Sequence, residues 1–169
     1  MARIDTRRMT HRHEGSLVVF HIGMTINKWF RPDLWWPVFA AMPGMLAELS
    51  RDPESGLLGY RLLFGRSGPT VIQYWESTDK LYAYASAPDA RHRPAWGAYN
   101  RRARKAKGAV GVFHETYAVD RAESVYVSTP LMGLARATGS VPVGPRSDRA
   151  GQRLAGGATR TPRENERVA

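Results

Sequence analysis

The chain has 169 residues, with 25 Lys+Arg against 15 Asp+Glu and no cysteine. That length suits one domain with a sizeable core. The missing thiols exclude a disulfide framework, a thiolate nucleophile, a zinc finger and an iron–sulfur cluster, while the net charge of +10 raises the question of an acidic partner.

Residues 1–15 carry four Arg and no long apolar run, so they read as a flexible arm without a secretory signal. Ser16–Ile26 (SLVVFHIGMTI) is β-branched and apolar and predicts a buried strand. Val18, Phe20, Ile22 and Met24 share one face, with Val19, His21, Gly23 and Thr25 on the other. A helix follows from Leu34 to about Ser50, capped by Asp33, with Pro43-Gly44 expected to kink or break it. Leu57–Phe64 and Thr70–Trp75 predict a hairpin closed by the loop Gly65–Pro69. Ser77 caps a second helix, which Pro88 and Pro94 divide into two pieces ending at Lys107. Val110–Val119 is a further strand, Glu123–Ser128 a short one, and Met132–Ala137 a turn of helix.

From Gly139 the chain is rich in Gly, Pro and Arg and lacks aromatic residues. Such a segment buries too little to offset its ordering entropy, so 139–169 reads as a disordered tail. All 17 aromatic residues lie between Phe20 and Tyr126, which places the folded domain at 16–138. The tails and the run Arg101–Lys107 (RRARKAK) hold all the excess charge. That run lacks interleaved aromatic residues for base stacking and suits a helix C-terminus, so nucleic acid is not the expected partner. No stretch reaches ~18 apolar residues, so no membrane partner is expected and a cytoplasmic location is the default.

The order β-α-β-β-α-β defines an α+β class, ferredoxin-like fold with helices on one face of an antiparallel sheet. Strands apolar on both faces need cover on the second face, and a homodimer supplies it. The stretch Tyr74-Trp75-Glu76-Ser77-Thr78-Asp79, followed by Leu81, Tyr84, His92 and Trp96, resembles the dimeric α/β-barrel superfamily that includes the antibiotic-biosynthesis monooxygenases. His92-Arg93-Pro94-Ala95-Trp96 and the segment Glu123–Gly139 resemble more narrowly the monooxygenase-like branch that includes a fungal fumagillin-pathway enzyme. The resemblance covers about residues 17–139. It implies a pocket between sheet and helices and a dimeric barrel. It also spans cofactor-independent oxygenases, haem-degrading oxygenases, haem-containing aldoxime dehydratases of similar fold, and proteins without oxidative chemistry. Haem degraders of this fold carry an axial His on the second helix, a strand Trp and a first-strand Asn. His92 and Trp75 match the first two by position, whereas Asn27 sits too near the strand's end to match the third.

Three residues are candidates for catalysis: His92, His21 and Trp75. An imidazole at His92 can ligate haem iron or move a proton near neutral pH. His21 lies within an apolar strand and would orient substrate or dioxygen if it faced a cavity. His114 and Glu115 are adjacent on a strand and so point to opposite faces, one of them toward the helices. Trp35, Tyr74 and Trp96, with Trp29, Trp36 and Trp75, are expected to wall a pocket for an apolar substrate. His21, His92 and His114 lack metal-ligand spacing, and no glycine-rich phosphate loop supports flavin or nicotinamide. The expected function is a small oxygenase that uses O2 on an apolar organic substrate. The alternatives are a haem enzyme with His92 as axial ligand, and a non-catalytic ligand-binding or stress-associated dimer.

Overall fold

In the computed structural model, which describes residues 4–87 and 108–156, the apolar segment at Leu17–Ile26 forms β2, the pairing centre of the main sheet. It lies between β4 (Gly68–Trp75) and β5 (Val110–Val119), and β3 (Leu57–Gly65) pairs with β4. The order β3-β4-β2-β5, antiparallel throughout, is that of the split βαβ unit.

The helices lie on the face of Val18, Phe20, Ile22 and Met24. Register places Trp75 beside Val18, Gln73 beside Phe20 and Val71 beside Ile22 on this face. Val18, Trp75, Leu49 of α1 (Pro32–Arg51) and Leu81 of α2 (Thr78–Ser86) form the core cluster. Trp75 is wholly buried, and its Nε1–H donates to Gln73 Oε1 at 2.9 Å, so neither polar group is stranded in the core.

Local chemistry sets the helix ends. Ser77 Oγ accepts from the Lys80 amide at 3.1 Å, the expected cap. The cap expected at Asp33 is absent. Pro32 occupies the first turn, so α1 begins at Pro32 and Asp33 lies inside it, paired with the Arg31 guanidinium at 2.9 and 2.7 Å. Nor does Pro43-Gly44 break α1. The stripe continues to Leu46 and Leu49, both buried, and that burial holds the helix together across the lost hydrogen bond. The β3–β4 connection is also tighter than expected. Gly65 pairs with Gly68, leaving Arg66-Ser67 as the turn, and Gly68 adopts φ +144°.

Two termini read as unstructured are partly built into a second sheet. Ile4–His11 forms β1, flanked by β6 (Tyr126–Pro130) and β7 (Ser140–Pro142) in the order β6-β1-β7. Beyond it lies α4 (Ala150–Gly156). The short strand expected at Glu123–Ser128 is β6, shifted to Tyr126–Pro130, whereas β1 and β7 escaped the sequence window because they are short and their pairing partners lie far away in sequence. The buried anchors are polar. Thr10 Oγ1 donates to the Ser124 carbonyl at 2.8 Å, and His11 Nδ1 lies 2.8 Å from Ser124 Oγ. Arg153, almost fully buried, donates to Glu123 Oε1 at 2.6 Å and to the carbonyls of Ser147 and Asp148 at 2.9 and 2.7 Å.

The short helix α3 (Gly133–Thr138) lies against the outer face of β3. A Cβ at Gly59 would stand 3.0 Å from the Ala137 Cβ, so glycine permits this approach. Part of the second sheet face is therefore covered by the chain itself.

Candidate functional site

A concavity lies between α1 and the helix-side face of the main sheet. Its volume is about 230 Å³. Helix α1 contributes Val38, Phe39, Met42, Pro43, Leu46 and Ala47, a stripe at helical spacing. The strands contribute Ile22, Met24, Tyr60, Leu62, Val71 and Val112. Among the described lining residues, Tyr60 is the only side chain with a polar atom. Such a lining repels water and favours an apolar ligand. The sequence stripe Phe39-Met42-Leu46 read simply as core; the mid-helix Pro43 was the local sign that this part of α1 does more than pack.

The expected site residues that the structure describes do not converge on this cavity. Trp75 belongs to the core cluster and is absent from the lining. Burial raises the hydroxyl pKa of its neighbour Tyr84 to about 12, with Glu48 adding to the effect. Tyr74 points to the outer face, where its hydroxyl lies near Gly133. Burial pushes its pKa up, Tyr126 adds to the rise, and Arg61 opposes it. Trp35 is half-buried in a row of rings running Trp29, Trp35, Trp36, Phe39 and Phe64, with successive centroids 5.8, 5.9, 5.4 and 6.5 Å apart. Only Phe39 of that row lines the cavity. His92 and Trp96 lie outside the described residues, as does the run Arg101–Lys107.

The histidines of the sheet separate cleanly. His21 pairs in register with Glu115 on the outer face, away from the cavity. Glu115 Oε2 accepts from Tyr117 at 2.7 Å and lies 3.0 Å from His21 Nδ1. Tyr117 and then His21 hold this exposed carboxylate below its ordinary pKa, so it is not the buried base with a raised value that a cavity-facing position would have made. His114 takes the helix-side face. It pairs with Ile22, packs its ring on Phe20 at 5.6 Å, and stands two residues from the lining Val112. His21 and His114 thus cannot meet or share a metal ion. Among the described residues no group of three His, Asp or Glu side chains could hold one.

The described lining offers no imidazole, and Trp75, the strand Trp expected beside a porphyrin, is packed in the core, while the expected axial ligand His92 lies outside the described residues. No described helix is long and apolar enough to cross a membrane.

Comparison with known proteins gives the following. A conserved protein of unknown function from Bacteroides thetaiotaomicron VPI-5482 aligns over 62% of this chain and 99% of its own, at 13% identity and TM-score 0.45. SnoaB, a cofactor-independent oxygenase from Streptomyces nogalater, aligns over 62% and 94%, at 18% identity and TM-score 0.38. A dimeric ferredoxin-like protein from Jannaschia sp. CCS1 aligns over 58% and 97%, at 20% identity and TM-score 0.38. Likenesses this loose carry no statement about substrate or assembly. No curated protein matches. The family profile described as Monooxygenase af470-like matches residues 17–134, the segment that builds the main sheet, α1 and the cavity between them. The chain therefore belongs to the monooxygenase af470-like family.

Proposed function

We propose that the protein is a small oxygenase that takes an apolar organic substrate into the cavity between α1 and the sheet. The carrying observation is that cavity itself, apolar on nearly every side, in the segment that places the chain in a monooxygenase-like family. The reaction that such a site supports with least help from the protein oxidises an activated methylene to a ketone. One oxygen atom of O2 enters the product and the other leaves as water, so R–CH2–R′ + O2 gives R–CO–R′ + H2O. The substrate supplies all four electrons, first as a carbanion that reduces dioxygen.

The protein's part is to bind the substrate, exclude water and take the first proton. His114 is the proposed base: it is not itself part of the lining and is exposed, but it is the described histidine on the cavity's side of the sheet, paired in register with the lining Ile22 and two residues from Val112. His21 has no part in this step, since the sheet separates it from the cavity. A second copy on the open part of the outer face remains the proposed assembly.

The test is oxygen uptake and 18O2 labelling with apolar substrates that carry an acidic methylene. Uptake of one O2 per ketone, with a single 18O in the product, supports the reading. Saturable binding of such substrates without oxygen uptake overturns it and leaves a ligand-binding protein. His114→Ala is expected to lower kcat at least tenfold with little change in KM, since general-base catalysis contributes on the order of 10²–10⁴.

A further inference from the structure

Exposed rings gather at one place on the described surface. In the row that runs from Trp29 to Phe64, the rings of Trp29, Trp36 and Phe64 are exposed, and Phe30, next to Trp29, is 78% exposed. Tyr60, Leu62 and Phe64 alternate along β3 and so share its helix-side face, where Tyr60 and Leu62 also line the cavity. Phe39 touches both Trp36 and Phe64 and is itself part of the lining. The apolar patch therefore runs without a break into the cavity, which is partly open beside it. A continuous exposed patch of large apolar side chains marks a contact surface.

The charges around the patch have one sign. Lys28 and Arg66 are exposed at the same end of the sheet, where the Ile26 amide donates to the Ser67 carbonyl at 2.6 Å and so brings the exit of β2 against the β3–β4 turn. In residues 27–47 and 55–75 the only acid is Asp33, and the Arg31 guanidinium already holds it at 2.9 and 2.7 Å. Rings on two neighbouring turns, flanked by cations and without an unpaired acid, complement an anionic bilayer. Trp and Phe settle at the headgroup boundary, and Lys and Arg meet the phosphates. A bilayer is also where an apolar substrate concentrates out of water. The expectation of no membrane partner rested on the missing span, and contact with a lipid surface needs none.

We infer that the patch of Trp29, Phe30, Trp36 and Phe64 docks on an anionic lipid surface and that the cavity takes its apolar ligand from there. The ligand route rests on the cavity proposed above as the substrate site; the docking itself does not.

The test floats the full chain with vesicles of phosphatidylcholine alone and of equal parts phosphatidylcholine and phosphatidylglycerol. The native protein is expected to float with the anionic vesicles and to be released by salt. Brominated acyl chains should quench part of its tryptophan fluorescence. Phe30→Ser with Phe64→Ser removes two rings that are mostly in solvent, so the melting temperature should hold while vesicle affinity falls about tenfold or more. Lys28→Gln with Arg66→Gln should cost about tenfold on anionic vesicles and little on neutral ones. Tyr82→Ser with Leu131→Ser, exposed residues of α2 and of the connection after β6, should leave binding near native. Absence of flotation and quenching in the native protein overturns the inference, as does an equal loss in the Tyr82 and Leu131 variant. Self-association of the native chain that the Phe30 and Phe64 variant loses, without vesicle binding, also overturns it and assigns the patch to a second copy. Vesicle binding is read without turnover, so a failure of oxygenase activity is seen separately.

Discussion

His21 and Glu115 face each other across the β2–β5 ladder, with Nδ1 and Oε2 3.0 Å apart on the side of the sheet remote from the cavity. Each strand alternates its side chains between faces. His21 and Glu115 are therefore joined to one another, and His114 alone turns toward the helices. His21→Ala and Glu115→Gln are expected to leave the affinity of the cavity for apolar ligands within twofold of native. A titration of 1-naphthol against each variant checks this, and a larger loss would show that the two faces communicate.

The same pair predicts an acid response. The carboxyl of Glu115 is held below its ordinary value in the folded chain, by Tyr117 first and His21 second. A group depressed on folding stabilises at pH above its unfolded pKa, and that contribution is lost as pH falls through the lower folded value. In the single chain Glu115 is solvent-exposed, so there the effect is small. Melting temperatures from pH 3 to 6 should fall slightly more steeply for the native chain than for Glu115→Gln.

His11 predicts a second, higher transition. Burial lowers its pKa, with His13 adding to the lowering and Glu123 opposing it. The neutral ring is the form that fits beside Ser124, so its contribution is present above the unfolded value of about 6.5 and lost as pH drops through the folded one. Protection factors of the β1 and β6 amides, corrected for the intrinsic exchange rate at each pH, should fall as the pH drops below the unfolded value while those of the β2 and β4 amides hold. Uniform exchange across both sheets would contradict the assignment.

Trp75 tests the core. Trp75→Ala empties the centre of the cluster with Val18, Leu49 and Leu81, and should cost roughly 3–5 kcal/mol in a urea titration. Trp75→Phe should cost less in volume but leaves Gln73 without its indole donor.

Arg153 tests the tail. Its side chain is 6% exposed and satisfies Glu123 and two backbone carbonyls. Arg153→Ala strips the partner from a half-buried carboxylate and should cost about 3 kcal/mol. Limited proteolysis should then cut first within 144–156.

The main sheet was legible in the sequence because its strands are long, apolar and bounded by turn residues; β5 was placed at Val110–Val119 without a shift at either end. Ser77 was legible for a similar local reason. Of the second sheet only β6 was legible, as the short strand expected at Glu123–Ser128. β1 reads IDTRRMTH, and its pairing to residues more than a hundred positions away leaves no periodicity to detect. The cavity was half legible. The stripe of α1 was plain, but a helix stripe looks the same whether it packs against side chains or against a void. The tryptophans misled for the converse reason: an aromatic residue signals burial strongly and says little about which side of a sheet receives it.

The contact of Ala137 with Gly59 has a further consequence for assembly. Because α3 lies over β3, the protein has closed one flank of its own sheet. Among the described residues the flank of β2 and β5 stays open, with Phe113, Glu115 and Tyr117 exposed, and a second copy meeting the sheet face to face would use that flank. The two sheets would sit offset rather than eclipsed, and Glu115 and its two partners would lie at the seam.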